Sequence, residues 1–302
     1  MKLGLVSAIL DGWDLEGMLA EAKAAGYSCV EVACWPAGKA ERRYAGVSHI
    51  DVCNTSEEYI RRVKDLFARY ALTISALAFY PNPLDPEKGP AAVEHLYHVI
   101  EMSALLGVNL VTTFIGRDQT ETVEENLELV KTVWPPVLEY AREKGVRIAI
   151  ENCPMLFGSD QWPGGQNLFT SPANWKKVLE VLPYDNLGIN YDPSHFIWQM
   201  MDYIAPIYQF RDRIFHVHIK DIKLYRDRLN QVGSMAYPLD FMSPKLPGLG
   251  DVDWGRYISA LTDIGYDGPV CVEVEDKAFE GTREKIVNSI RVSRRYIEQF
   301  VL

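Results

Sequence analysis

The chain has 302 residues, of which 48% are hydrophobic, enough for one α/β barrel with a full core. Its 31 basic and 41 acidic residues give a net charge of −10, which argues against a surface for nucleic acid or membrane lipid. No apolar run approaches the roughly 20 residues of a membrane helix, and the five cysteines form no CxxC pair. We therefore expect a cytoplasmic protein with reduced thiols and a small-molecule partner.

Short segments rich in Val, Ile and Leu alternate with amphipathic stretches along the whole chain. The predicted strands are 2–7, 28–33, 72–78, 109–114, 146–151, 187–191, 214–219 and 269–274. The predicted helices are 14–25, 56–70, 90–106, 122–144, 171–181, 196–210, 253–264 and 282–300. Ser56, Ser171 and Asp253 are typical helix starts. The apolar stretch at the N-terminus breaks at Asp11 and lacks a small-residue cleavage site, so we expect a first strand there and not a signal peptide.

This alternation predicts a single-domain (β/α)8 TIM barrel over residues 1–302. The alternative is an open doubly wound sheet, which usually carries a GxGxxG loop after its first strand, whereas LDGWD stands there in this chain. The longest connections, 34–55, 152–170 and 221–252, all follow predicted strands. They should lie at the carboxyl-end rim, where barrel active sites are found, and act as lids or substrate walls.

Four predicted strands run into polar ends, in RIAIEN, GINYDPSH, HVHIKD and PVCVEVED. Because side chains alternate along a strand, one choice of face directs four residues into the top of the barrel: Glu151, Asp192, His218 and Glu273. Each alone has another explanation; Asp192, for example, precedes Pro193 as a helix cap would. Three buried carboxylates together need a cation, and the set suits Mn²⁺ or Mg²⁺, with Co²⁺ tolerated.

This ligand set indicates a particular chemistry. A divalent ion chelated by a carbonyl and an adjacent hydroxyl would acidify the neighbouring C–H bond. Glu151 and Glu273 could then act as catalytic bases on opposite faces of that carbon, one removing a proton and the other returning one. The outcome is sugar epimerisation or isomerisation through an enediolate. The alternative is a lyase or dehydratase, in which the same first step on a keto-sugar, keto-glycoside or keto-inositol is followed by β-elimination.

The motifs IENCP, NYDPSH, HVHIKD and VEVED, with LPGLGDVDW and GYDGP, resemble the xylose-isomerase-like TIM-barrel superfamily. Within it the chain is most similar to the sugar phosphate isomerase/epimerase group, which includes ketose 3-epimerases and inosose dehydratases. The resemblance implies a divalent metal, usually Mn²⁺, on Glu151, Asp192, His218 and Glu273, with proton transfer by the two glutamates. It also implies substrate contacts from His195 and Lys220, and a homodimer or homotetramer.

Two positions depart from this pattern. Cys153 stands where members often carry a His, and the following loop, MLFGSDQWPGG, offers only Asp160 where ketose 3-epimerases carry a substrate-orienting Glu. These departures do not affect the metal ligands. They weaken the specific similarity to ketose 3-epimerases, so a lyase that catalyses elimination on an oxidised sugar stays an alternative. Two further classes are weighed. An endonuclease for abasic DNA would need more His ligands and a basic face, and a sugar-binding protein with a vestigial site would not need the intact ligand set.

Secondary candidates surround these ligands. Trp35 follows the second strand and could be a sugar platform or a cover for the rim. The loop after it could bind an anionic or polyhydroxylated substrate, or be a solvated basic loop, through Lys39, Arg42, Arg43 and His49. Trp162 is a lid candidate, Glu275 lies one pleat above Glu273, and His216 is expected in the core. No glycine-rich phosphate cradle is evident, so an unphosphorylated sugar or glycoside is expected.

Overall fold

The computed structural model of the chain describes residues 1–36, 38, 44–156, 162 and 164–301. This part of the chain forms ten strands: β1 (Lys2–Val6), β2 (Cys29–Ala33), β3 (Thr73–Ala78), β4 (Leu110–Thr113), β5 (Arg147–Glu151), β6 (Leu187–Tyr191), β7 (Ile214–Ile219), β8 (Asp221–Leu224), β9 (Met242–Lys245) and β10 (Pro269–Val272). Eight of them close into a parallel barrel in the order β1-β10-β7-β6-β5-β4-β3-β2. The predicted TIM barrel is confirmed, with each barrel strand at its predicted place.

The helices of the described residues pack outside this barrel or cover its rim. They are α1 (Leu15–Ala25), α2 (Glu57–Tyr70), α3 (Gly89–Leu106), α4 (Val123–Glu143), α5 (Pro172–Val181), α6 (Ser194–Trp198), α7 (Ala205–Gln209), α8 (Arg226–Val232), α9 (Trp254–Asp263) and α10 (Arg283–Ile297). No helix in these ranges is long and apolar enough to cross a membrane. All five cysteines are free thiols, as expected.

The helix starts follow from local hydrogen bonding. The side chains of Ser56, Ser171 and Asp253 each accept a hydrogen bond from a backbone N–H three residues on, as predicted. Thr122 and Glu125 form a capping box at the start of α4, in which each side chain binds the other residue's backbone N–H. These caps satisfy amide groups that have no partner inside the helix, and so fix where each helix begins.

The predicted helix over 196–210 is wrong, because the chain forms two short helices there, α6 and α7. Met200 has φ of 57°, a left-handed conformation that ends the first helix. The Asp202 side chain then accepts hydrogen bonds from the amides of Ile204 and Ala205, which begins the second. The apolar spacing continues through the break, which explains why the pattern indicated a single helix.

The connection after β7 is more structured than the expected lid. β8 and β9 pair antiparallel, with α8 between them, and form an excursion over residues 221–245. Asp221 anchors it: its Oδ1 accepts from the amides of Ile222 and Val252, and its Oδ2 from the Gly248 amide and the Trp254 indole. Burial raises the pKa of Asp221, although the four hydrogen bonds each act to lower it. The excursion is therefore fixed to the end of β7.

The amino-end floor of the barrel is tightly filled. Gly4 pairs in register with Cys29 on one side and with Cys271 on the other. A Cβ atom at Gly4 would lie 2.5 Å from Cys271 Sγ and 2.7 Å from Cys29 Sγ. The two thiols therefore occupy the space that a side chain on β1 would otherwise fill.

Candidate active site

The four predicted ligands come together at the carboxyl-end rim. Glu151 is the last residue of β5, Asp192 follows β6, His218 lies in β7 and Glu273 follows β10. These are four consecutive strands of the barrel. One donor atom from each residue lies within 4.8 Å of the donor atoms of the others. The spacing in sequence thus translates into one cluster in space.

The inward atoms of this cluster are buried polar atoms without a hydrogen bond. They are Glu151 Oε1, Asp192 Oδ2, His218 Nδ1 and Glu273 Oε2, and none has a hydrogen-bond partner of acceptable geometry among the described residues. His218 Nδ1 lies 3.5 Å from Glu151 Oε1 and 3.3 Å from Glu273 Oε2. Buried polar atoms are almost always satisfied, so this arrangement fits a divalent cation chemically.

Asp192 has a separate task for each of its carboxylate oxygens. Oδ1 accepts a hydrogen bond of 2.8 Å from the amide of Ser194, two residues on, although Pro193 and not Asp192 is the N-cap of α6. Oδ2 faces the cluster. Asn152 contributes to the same geometry, because its side-chain amide binds both the N–H and the C=O of Asp192. These hydrogen bonds therefore hold the second oxygen in place.

A fifth acidic residue, Glu31 on β2, controls the orientation of His218. Its Oε2 lies 2.7 Å from His218 Nε2, and both side chains are fully buried. A carboxylate only accepts hydrogen bonds, so a proton lies on Nε2. Burial opposes a charge on His218, but Glu31, Glu273 and Glu151 raise the pKa of His218 well above its ordinary value, so Nδ1 would lose its own proton when an ion binds there. Nδ1 is the nitrogen that faces the cluster. Carboxylate partners of this kind fix the tautomer of metal-binding histidines.

Glu31 is itself held in its ionised form. Its Oε1 accepts hydrogen bonds from Tyr80 (2.5 Å) and Thr112 (2.7 Å). Burial would raise the pKa of Glu31, but the two histidines and these donors outweigh burial and lower the pKa to about 2. His216, the predicted core histidine, is fully buried, and burial and the charge of His218 lower its pKa to about 4.

Lys220, predicted to contact substrate, forms ion pairs with the proposed metal ligands themselves. Its Nζ is 2.8 Å from Glu273 Oε2, 3.0 Å from Asp192 Oδ2 and 3.4 Å from Glu275 Oε2. Burial opposes its charge, but the surrounding carboxylates raise the pKa of Lys220 well above its ordinary value. Its ammonium group would compete with a metal ion for two of the same oxygens.

The two candidate bases are ionised at neutral pH. Burial would raise the pKa of Glu273, but Lys220 and His218 outweigh it and the pKa falls to about 2. The pKa of Glu151 is lowered in the same way by His218, His195 and Lys220. Glu151 is only 3% exposed, whereas 18% of the Glu273 side chain reaches solvent. Glu273 is thus the more accessible of the two carboxylates.

The predicted substrate residues lie around the cluster. His195 Nε2 is 3.3 Å from Asp192 Oδ2, on the first turn of α6. Trp35 lines a narrow pocket together with Glu151 and Glu273, and packs edge-on against Phe79. A substrate beside the two glutamates would therefore lie near the indole of Trp35.

The secondary candidates have different outcomes. His49 is buried, with ring nitrogens 3.0 Å from Ser7 Oγ and 3.2 Å from the Leu10 carbonyl, so it is neither a solvated loop residue nor directed at the cluster. Trp162 donates to the Met235 carbonyl and thereby bridges two rim loops. Lys39, Arg42, Arg43 and Asp160 lie outside the described residues.

Sequence reasoning missed Glu31 and Asp221, which hold the site in place without facing its centre. A signal was available for Glu31, since CVEVA places a single charge within an otherwise apolar buried strand. Asp221 follows Lys220 in the HIKD motif, where the pattern predicts only the start of a loop.

Comparison with known proteins assigns the chain to a family. A family model described as a xylose isomerase-like TIM barrel matches residues 19–296. The chain belongs to this family. It is 26% identical to the uncharacterized protein YfiH of Bacillus subtilis over 91% of this chain and 93% of that protein. It is 22% identical to an inosose dehydratase of Clostridium tetani over 61% of this chain and 60% of that protein.

A solved structure has the same fold. The structure of D-psicose 3-epimerase with D-tagatose, from Clostridium cellulolyticum H10, superposes with a TM-score of 0.70 and 15% sequence identity. The match covers 100% of this chain and 99% of that chain. This chain thus shares its barrel fold with the D-psicose 3-epimerase and part of its sequence with the inosose dehydratase.

Proposed function

We propose that this protein is a divalent-metal-dependent sugar isomerase or epimerase, which moves a proton at the carbon next to a carbonyl. One observation carries the proposal: four buried donor atoms, three from carboxylates and one from an imidazole, converge with no hydrogen-bond partner of their own among the described residues. The shared barrel fold with a D-psicose 3-epimerase supports a sugar as substrate.

Glu151, Asp192, His218 and Glu273 would hold the ion, and their mainly oxygen donors suit Mn²⁺, with Mg²⁺ or Co²⁺ as alternatives. When bound, such an ion polarises a substrate carbonyl and acidifies the C–H bond beside it. Glu31 binds Nε2 of His218 and so keeps Nδ1 directed at this position. Lys220 Nζ lies 3.0 Å from Asp192 Oδ2 and 2.8 Å from Glu273 Oε2, so an ion would displace the ammonium group from these two oxygens.

Glu151 and Glu273 are the two bases of the proposed reaction. They approach His218 Nδ1 from strands on either side of it, at 3.5 and 3.3 Å, and both are ionised at neutral pH. One removes the proton from the carbon, and the other returns a proton to the opposite face or to the neighbouring carbon. His195, Lys220 and Trp35 would position the substrate, with the Lys220 ammonium beside its oxygens.

A lyase is the second candidate, favoured by the sequence similarity to inosose dehydratase. The first step is the same. The C–H electron pair then forms a C=C bond, the bond to the β-oxygen breaks, and that oxygen takes a proton. The Lys220 ammonium, 2.8 Å from Glu273 and 3.4 Å from Glu275, is the candidate proton donor.

The test is solvent exchange. Metal-loaded protein is incubated in D₂O with a panel of keto- and aldo-sugars and glycosides, and deuterium at the carbon next to the carbonyl is followed by NMR. Exchange without loss of a substituent supports an isomerase or epimerase, and an unsaturated ketone with release of water or alcohol supports a lyase.

Glu273→Gln should lower exchange by about 10²- to 10⁴-fold, because the substitution removes a proton-transfer group. Glu101→Gln, the same chemical change on α3 where Glu101 pairs with Lys144, is the matched control and should exchange at the wild-type rate. Undiminished exchange in Glu273→Gln would rule out the two-base scheme.

A further inference from the structure

A large apolar cleft opens beside the polar cluster. It has a volume of about 390 Å³, within the range of pockets that hold drug-sized ligands. Its polar end is formed by Cys153, His195, Lys220 and Glu275. Its remaining wall is mostly hydrophobic and includes Met155, Leu156, Trp198, Leu239, Met242 and Pro244.

The cleft continues directly from the candidate catalytic residues. The narrower pocket that contains Glu151 and Glu273 shares Cys153, Lys220 and Glu275 with it. Any molecule whose reacting carbon lies between the two glutamates can therefore extend past Lys220 into the cleft. Because the two pockets are continuous, we expect part of the substrate itself to contact the apolar wall of the cleft.

Two rim segments build that wall, and contacts hold them together. Met155 and Leu156 follow β5, whereas Leu239, Met242 and Pro244 belong to the excursion after β7. Trp162 connects the two: its indole donates to the Met235 carbonyl and packs edge-on against Trp198. α6, which carries Trp198, also packs against β8. The cleft is thus a supported surface rather than a gap between loose loops.

The chemistry of this wall does not match a bare sugar. Hydroxyl groups along it would lose their water and meet methionine, leucine and proline side chains. Leu239, at the edge of the cleft, is 40% exposed, so its side chain is accessible to a ligand that enters from solvent. Trp198 offers an aromatic surface next to His195, where its indole N–H lies 3.4 Å from Nδ1.

We propose that the apolar cleft is an aglycone subsite, so that the substrate is a keto-sugar carrying a bulky apolar substituent, preferably an aromatic one. This inference rests on the proposed function, because that function places the sugar ring at the glutamates. The sugar's hydroxyls lie near Lys220, His195 and Glu275, and the substituent lies against Trp198 and the excursion. The class of substrate is then a keto-glycoside rather than a free monosaccharide.

The test is binding of a matched pair by calorimetry. Methyl and phenyl β-D-glucosides, each oxidised to a ketone at carbon 3, are titrated into Glu273→Gln protein, in which turnover is suppressed. The titration is carried out in saturating Mn²⁺ with the bound metal quantified beforehand, because the substitution also changes a proposed metal ligand. We expect the phenyl compound to bind about 10- to 100-fold more tightly, because its ring leaves water for the cleft. Equal affinities, or no detectable binding of either compound, would overturn the proposal.

Substitutions in the apolar cleft test whether the preference for the phenyl compound arises there. Leu239→Asp adds a charge to the exposed edge of the cleft and should reduce the phenyl preference to about threefold or less. Leu249→Asp is the matched control, since Leu249 is 50% exposed and does not line the cleft, and it should keep the preference. Trp198→Ala should also reduce the preference, with circular dichroism to verify folding. A preference untouched by both Leu239→Asp and Trp198→Ala would place the ring elsewhere and contradict the inference.

Failure of this inference is distinguishable from failure of the proposed function. A phenyl preference that depends on Leu239, together with no deuterium exchange on any sugar, would retain the subsite and remove the proton-transfer function. Exchange on sugars with no phenyl preference would retain the function and remove the subsite.

Discussion

At the scale of single residues, the interaction of Glu31 with His218 defines which ring nitrogen faces the cluster. The charge-assisted hydrogen bond of 2.7 Å fixes the ring and its tautomer, and Tyr80 and Thr112 in turn fix the carboxylate. A histidine free to flip would present Nδ1 to the cluster only part of the time.

Glu31→Gln should therefore weaken Mn²⁺ binding by about 10- to 100-fold while leaving the fold intact. Glutamine is nearly the same size as glutamate but lacks its charge and can present an N–H to His218. The dissociation constant is measured by calorimetry at fixed pH. The control is Glu101→Gln, for which we expect wild-type affinity; a Glu31→Gln variant with unchanged affinity would show that the tautomer is set in another way.

The four residues at strand ends could be predicted from sequence as candidates, whereas the contacts that support them could not. Glu151, Asp192, His218 and Glu273 each combine an apolar run with a polar end, which is a pattern visible along the chain. Glu31 lies in the middle of its strand, and its partner His218 is distant in sequence, so only the closed barrel makes their contact evident. Lys220 was expected to contact substrate, but how closely it pairs with Asp192 and Glu273 depends on side-chain packing.

At the scale of secondary structure elements, the excursion after β7 depends on one carboxylate. Asp221 accepts four hydrogen bonds, from three backbone amides and the Trp254 indole. A Cβ at Gly250 would lie 2.2 Å from Asp221 Oδ1, so only glycine allows the chain to close this tightly around it. The wall of the apolar cleft is attached through this anchor to the barrel.

Asp221→Asn should lower the free energy of unfolding by about 2–4 kcal/mol, because an amide group would face N–H donors and leave them unsatisfied. Urea unfolding monitored by fluorescence gives the value. Asp251→Asn is the matched control, because Asp251 follows the excursion and contacts its residue Leu224. Its exposed carboxylate accepts one hydrogen bond, from the Leu224 amide, so we expect a loss of about 1 kcal/mol. Equal losses in the two variants would contradict the role of Asp221 as an anchor.

Elements with a strong local signal were predicted correctly, and those governed by tertiary contacts were not. Caps at Ser56, Ser171 and Asp253 gave helix starts to within a residue. The division into α6 and α7 escaped prediction because a left-handed Met200 has no sequence signature. The hairpin of β8 and β9 escaped because its segments are short and half-buried.

At the scale of the whole molecule, the barrel concentrates negative charge at one end of its axis. Glu151, Asp192 and Glu273 approach one another from neighbouring strands, and Lys220 supplies one compensating charge. Bringing like charges together in the folded state costs stability unless a cation joins them. Folding and metal binding should therefore be linked.

Mn²⁺ at about one hundred times its dissociation constant should stabilise the protein by about 2.7 kcal/mol, and raise the melting temperature by about 5 °C. Removal of the ion with a chelator should reverse the increase. Potassium chloride at equal ionic strength is the control for screening, and Asp192→Asn should lose most of the increase. A melting temperature that does not respond to Mn²⁺, Mg²⁺ or Co²⁺ would speak against the metal site.

The global architecture was the part of the structure most accessible from sequence, because eight repeats of strand and helix leave few alternative topologies. Details of packing inside the barrel were not accessible, because they depend on contacts between distant segments.

The floor of the barrel illustrates how such contacts tie distant positions together. The room beside Gly4 is filled by the sulfur atoms of Cys29 and Cys271, so three strands share one fixed volume. An alanine at position 4 can be accommodated only if a neighbour becomes smaller. In homologous barrels the residues at these three positions should consequently covary. A larger side chain on one strand should be matched by a smaller one on a neighbouring strand, so that the summed side-chain volume stays constant.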